Sequence, residues 1–136
     1  MTSIVGTWKL VAVAAHDGAG NPLPPPYGPK FMGRVTFNAD GRMMAVLCDG
    51  RPALPDGPAL PDGTARDYAS YCGNYRFDGA QLITRVDAAS DPARLGTDQI
   101  RQVRFDGARM ILRPPPRPKG DVTEHRELAW ERIAPE

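Results

Sequence analysis

The stretch Phe31–Leu47, FMGRVTFNADGRMMAVL, decides the fold. Two short apolar-rich runs flank Asn38-Ala39-Asp40-Gly41, and Asp-Gly between such runs is a strong local signal for a β-hairpin. Glycine accepts the positive φ that a tight turn demands, and aspartate tolerates it better than most other residues. The pattern recurs twice. Tyr75-Arg76-Phe77 leads into Asp78-Gly79 and on to Gln81–Val86, and Ile100–Phe105 leads into Asp106-Gly107 and on to Met110-Ile111-Leu112. Three hairpins supply six strands, and one run at each end of the chain supplies two more. The expected fold is all-β: an eight-stranded antiparallel up-and-down barrel with one short helix. Closure of the first strand on the last removes the exposed edges.

The rest of the chain fits one domain over residues 1–136. Alternation predicts a first strand over Ile4–His16, with Trp8, Leu10, Ala12 and Ala14 on one face. It predicts a last strand over Val122–Ile133, with Arg126, Leu128, Trp130 and Arg132 on one face. Pairing of these two strands places Trp8 near Trp130 or Arg132. Tyr71, Tyr75 and Phe77 share a face of the fourth strand. Fifteen prolines cluster in Asn21–Pro29, Arg51–Gly63 and Arg113–Gly120. Proline interrupts a central ladder, so these segments read as loops. The one helix-like spacing lies in Pro61–Ser70, with Thr64 as N-cap and Asp67 three residues on.

Composition excludes several roles. Seventeen basic and sixteen acidic side chains give a net charge of +1, whereas nucleic-acid and membrane-surface partners favour a basic excess. No run approaches the roughly 20 apolar residues that span a bilayer. MTSIVGTWKL lacks the charged and apolar regions of a secretory leader. A cytoplasmic location is expected, where Cys48 and Cys72 are reduced thiols.

Several short motifs together resemble one family. Gly6-Thr7-Trp8 is similar to the G-x-W signature of lipocalins. Asn38–Met43 (NADGRM), Tyr71–Tyr75 (YCGNY), the Ser90-Asp91-Pro92…Gly96 segment, Arg101 and Leu128–Arg132 (LAWER) resemble the bacterial and fungal lipocalin-like domain proteins. The resemblance spans nearly the whole chain. It implies a small barrel whose lumen takes a hydrophobic or partly polar small molecule. Many relatives carry a histidine in the strand after the Y-x-G-x-Y run, where this chain has Arg85.

The arginines are the most informative candidates for ligand recognition. An arginine inside a barrel is costly unless paired, so an inward one marks an anion site or an internal ion pair. Arg101 shares a face with Gln99 and Val103, and Arg126 shares one with Leu128 and Trp130. Guanidinium forks match carboxylate geometry, which makes Arg101, Arg126 and Arg85 candidates to grip a carboxylate, phenolate or enolate. Arg132 is assigned a structural place on Trp8. Tyr71 and Tyr75 offer an apolar wall with a hydroxyl, and Tyr75 is placed in the lumen. Met32, Met43, Met44 and Met110 can supply an adaptable apolar lining, and Met44 and Leu128 are assigned to the ligand site. His16 and His125 fall near each other at one barrel mouth, where a pair can move protons. No cysteine or third histidine is patterned beside them, so no metal is expected. Nucleotide-binding and nucleophile-elbow motifs do not occur, and no cofactor is expected.

These readings give a primary expectation and two others. The first is a binding protein for a small hydrophobic, aromatic or polyketide-like molecule, present as a monomer or homodimer. The second is a cofactor-independent isomerase, cyclase or dehydratase of secondary metabolism, in which Arg101 and Tyr75 stabilise an enolate and His16 or His125 moves a proton. The third is a barrel filled by its own side chains and used for assembly.

Overall fold

The computed structural model describes residues 2–50 and 68–134. Nine strands follow in order: β1 (Gly6–His16), β2 (Phe31–Phe37), β3 (Arg42–Asp49), β4 (Tyr68–Phe77), β5 (Gln81–Ala89), β6 (Asp98–Asp106), β7 (Arg109–Arg113), β8 (Arg117–Lys119) and β9 (Val122–Ala134). Strands β1 to β7 and β9 pair antiparallel in sequence order, and β1 pairs β9 to close an eight-stranded barrel. The short β8 lies outside this circuit and pairs only with the start of β9. It falls in a segment expected to be loop, and Pro118 is tolerated there because an edge strand needs no full ladder.

The three expected hairpins form, and Gly41, Gly79 and Gly107 take positive φ in their turns. Each turn lies at the same end of the barrel, together with the start of β1 and the end of β9. The four remaining connections between barrel strands leave from the opposite end. Tight turns bring the strands close and let their side chains fill that end. Phe37 meets Tyr75 edge-on, and Phe77 meets Phe105 edge-on. At the same end Arg132 stacks on Trp8, 4.4 Å from the ring centre. The Trp8 indole donates to the Ile4 carbonyl at 2.9 Å. Gly6 begins β1 with a φ of 130°, and a Cβ there would lie 2.7 Å from the Ala134 carbonyl oxygen. The glycine of G-T-W is therefore required by the approach of the two chain ends.

Two sequence expectations need correction. The alternation of β1 changes parity in mid-strand. Register shifts between Leu10 and Ala12, so Leu10 faces Trp130 while Ala12 faces Ala129. A bulge adds one residue and turns the following side chains to the other face. Trp8 and Leu10 point inward, but Ala15 takes the next buried place with Val13 packed against the core, not Ala12 and Ala14. The helix expected over Pro61–Ser70 lies outside the described residues up to 67, and Tyr68, Ala69 and Ser70 belong to β4. Among the described residues the one helical element is a 3₁₀ turn at Pro92–Arg94, capped by the Asp91 side chain. No helix there is long and apolar enough to cross a membrane.

Candidate functional site

Inward positions leave a cavity that runs from Phe37 and Met43, beside the first hairpin, toward the opposite end of the barrel. Its apolar wall includes Phe37, Met43, Leu82, Leu112, Leu128 and Trp130. The space is about 100 Å³ on a scale where one water takes roughly 10–15 Å³. The barrel is thus not wholly filled by its own side chains. Gly33 permits this packing: a Cβ there would lie 3.0 Å from Leu10 Cβ and 3.3 Å from the edge of the Trp130 ring. Among the described residues the buried Trp130 Nε1 has no hydrogen-bond partner, an uncommon state for an indole donor.

Toward the open end the lining turns cationic. Arg94, Arg101, Arg117 and Arg126 all border the cavity, and Glu124 is the one carboxylate with them among the described residues. These residues form two groups. In the first, Arg101 donates to Gln99 Oε1 at 3.1 Å and to the Ile100 carbonyl at 2.8 Å. Arg94 donates to the same Gln99 oxygen at 3.2 Å, and its guanidinium lies over the Tyr71 ring at 5.8 Å. Among the described residues no carboxylate pairs with Arg94 or Arg101. Two positive groups thus converge on one neutral amide oxygen.

The second group is internally compensated. The Glu124 side chain is 0% exposed and is surrounded by Arg126 at 2.7 Å, Arg117 at 2.9 Å and Lys119 at 3.2 Å. A carboxylate is retained at such depth only when paired and hydrogen-bonded. Three cations oppose one anion, so this group also leaves positive charge beside the cavity.

The structure separates the sequence candidates. Arg101, Arg126, Tyr71 and Leu128 line the cavity. Arg85 does not: its guanidinium pairs with Asp98 at 2.8 Å on the outer face, with the side chain 64% exposed. Its parity on β5 is opposite to that of buried Leu82, Thr84 and Val86. Met44 is likewise outside, 62% exposed, and Met43 takes the inward position. Tyr75 faces inward at the hairpin end, below the cavity, where its hydroxyl donates to the Asn38 carbonyl at 2.7 Å. Burial, followed by the nearby Asp40 charge, holds its phenol above the ordinary value of 10.0. His16 and His125 do come together, with stacked rings 5.4 Å apart. They sit on the outer face, because Glu124 and Arg126 occupy the inward positions beside His125. Cys48 and Cys72 are free thiols. On the outer face Arg42 hydrogen-bonds Asp87 and holds its carboxyl below the ordinary 3.8.

Three charged lining residues were not among the sequence candidates. Glu124 follows from extending the Arg126–Leu128–Trp130 alternation back by two. Arg94 sits in a segment that reads as a polar connector, and only the 3₁₀ turn brings it over the barrel. Arg117 reaches the cavity from β8, which proline content disguises.

A model of the lipocalin-like domain matches residues 5–133. The chain belongs to the lipocalin-like domain family. Its barrel fits small-molecule binding in general. No curated protein and no solved structure gives a match to the chain.

Proposed function

We propose that this lipocalin-like barrel binds a compact hydrophobic or aromatic molecule, such as a polyketide-like phenol or enol, through one acidic group. The acid, a carboxylate, phenolate or enolate, lies against Arg101 and Arg94, and the body packs on Trp130, Phe37, Met43 and Leu128. The observation that carries this reading is the convergence of two guanidiniums on Gln99 Oε1. No carboxylate among the described residues meets either of them. A ligand anion accepts from both and supplies the missing charge. Binding is favoured over turnover because His16, His125 and Tyr75, the residues assigned to acid–base work, do not converge on the cavity. The two histidines stack outside the barrel, and the Tyr75 hydroxyl is committed to Asn38.

Calorimetric titration with naphthoate and its neutral isostere naphthamide tests the proposal. Hydrogen bonds to a charged group contribute about 1.5–3 kcal/mol, so Arg101→Ala should weaken naphthoate roughly 10- to 150-fold. Naphthamide affinity should change little. Equal binding of acid and amide to the unaltered protein, or an Arg101→Ala variant that holds naphthoate as before, would overturn it.

A further inference from the structure

The barrel wall is incomplete between β6 and β9. The last rung between β6 and β7 joins Gln102 to Arg113. The last between β7 and β9 joins Leu112 to Leu128. Above that level, among the described residues, β9 has no partner on this side until Glu124, which faces Arg117 of β8. Asp98–Arg101 and His125–Glu127 therefore confront each other without a ladder. The chain between them is Pro114-Pro115-Pro116, and proline has no N–H with which to restore one.

A second cavity of about 300 Å³ lies outside this opening, lined by Ile100, Gln102, Arg113, the three prolines, His125 and Arg126. It shares Pro114, Pro115 and Arg126 with the lumen. The residues at the two sides of the opening are the inward arginines, Arg101 on β6 and Arg126 on β9. Each stands one inward position above the apolar level formed by Val103, Leu112 and Leu128.

We propose that this window is the passage by which an anionic ligand reaches the lumen, with Pro114–Lys119 as the element that moves aside; the identity of the cargo rests on the reading above. Displacing that segment requires no rung of the barrel itself to break. It detaches three residue pairs between β8 and β9 and the contacts of Arg117 and Lys119 with Glu124. Opening the β1–β9 seam instead breaks nine pairs. Two arginines beside the opening draw an anion toward it and meet it inside, so one set of charges serves both entry and retention.

Plugging the window provides the test. The Ile100 side chain faces outward and lines the outer cavity; its main-chain carbonyl accepts from Arg101, and a side-chain substitution keeps that carbonyl. Fluorine exchange NMR with fluoronaphthoate measures both rates. Ile100→Trp should slow association and dissociation together by about tenfold while the Kd stays within about twofold, since a blocked route changes rates and not the equilibrium. Lys119→Ala, which loosens the segment, should raise both rates. An Ile100→Trp variant with unchanged rates overturns the passage. So does one whose affinity falls through dissociation alone, because the cleft is then part of the binding surface. Hydrogen exchange of the ligand-free protein gives an independent check. Amides in β8 and at the start of β9 should exchange by a local opening well before those of β2 and β3. Equal protection of the two regions overturns the passage even if fluoronaphthoate binds, and early exchange beside a protein that binds no acid overturns only the cargo.

Discussion

Replacing Glu124 with glutamine keeps the side-chain shape and removes the one carboxylate that the described residues place at the cavity, leaving three cations without this anion. Its side chain is 0% exposed, and its partners are 16%, 53% and 47% exposed for Arg126, Arg117 and Lys119. Breaking a fully buried ion pair costs about 3–5 kcal/mol. Arg117 and Lys119 are half in water and recover hydration, so their share approaches that of surface pairs. Arg126 cannot recover in the same way, because little of it reaches solvent. The glutamine amide also turns donor hydrogens toward one of these donors. A loss of about 2–3 kcal/mol follows, nearer the lower end of the buried range. For a domain of this size that lowers Tm by roughly 6–9 °C. Urea denaturation monitored by tryptophan fluorescence should show a lower midpoint with unchanged slope. Combining Glu124→Gln with Arg126→Gln should cost less than the sum of the two single changes, since the second removes the charge that the first stranded. A Glu124→Gln protein within about 0.5 kcal/mol of the parent, or strictly additive changes, would refute the argument that the carboxylate is held by its buried cation.

Two further outcomes concern the opposite end. Arg132→Ala removes the stack on Trp8 and a 2.7 Å hydrogen bond to the Ser3 carbonyl, which should cost about 1–2 kcal/mol; full recovery by Arg132→Lys, which keeps charge but not the flat face, would contradict the assignment. Tyr75→Phe removes the bond to Asn38 and should cost about 1 kcal/mol at neutral pH. Because the folded-state Tyr75 pKa is raised above 10.0, ionisation is resisted more in the folded than in the unfolded chain. The tyrosine's contribution is therefore complete below that value and is lost as pH rises through the folded-state pKa. Paired denaturation curves at neutral and alkaline pH should show the stability difference narrowing in alkali, and a constant difference would contradict the burial argument.

Local chemistry is enough to place the hairpins, since a turn that needs positive φ must name its glycine and its flanking runs must alternate. The same alternation put Arg126 on one face with Leu128 and Trp130, and Arg101 on one face with Gln99 and Val103; in the structure Arg101, Arg126, Leu128 and Tyr71 line the cavity, whereas Tyr75, the residue placed in the lumen, lies outside its lining. It set Trp8 beside Arg132 through closure of the first strand on the last. The amino-acid sequence by itself thus pointed to the strand order, the closed barrel and the lipocalin-like family, and to which residues share a face of β6 and of β9, while leaving open which face turns inward.

Tertiary structure decided the rest. The bulge after Leu10 reverses the faces of β1 because one added residue changes parity, and a uniform alternating run does not announce where that residue is absorbed. Met43 and Met44 are chemically alike, and only the register of β3 against β2 and β4 sends one in and the other out. Arg85 finds Asp98 across the β5–β6 ladder and stays in solvent. The histidines meet, but on the outer surface, since Glu124 and Arg126 take the inward places on either side of His125. The early end of β7 at Arg113 opens the wall, and the 3₁₀ turn carries Arg94 over Tyr71. These outcomes depend on contacts between residues far apart in the chain. Side-chain parity, wall closure and charge pairing are properties of neighbouring strands together, so no single strand's sequence determines them.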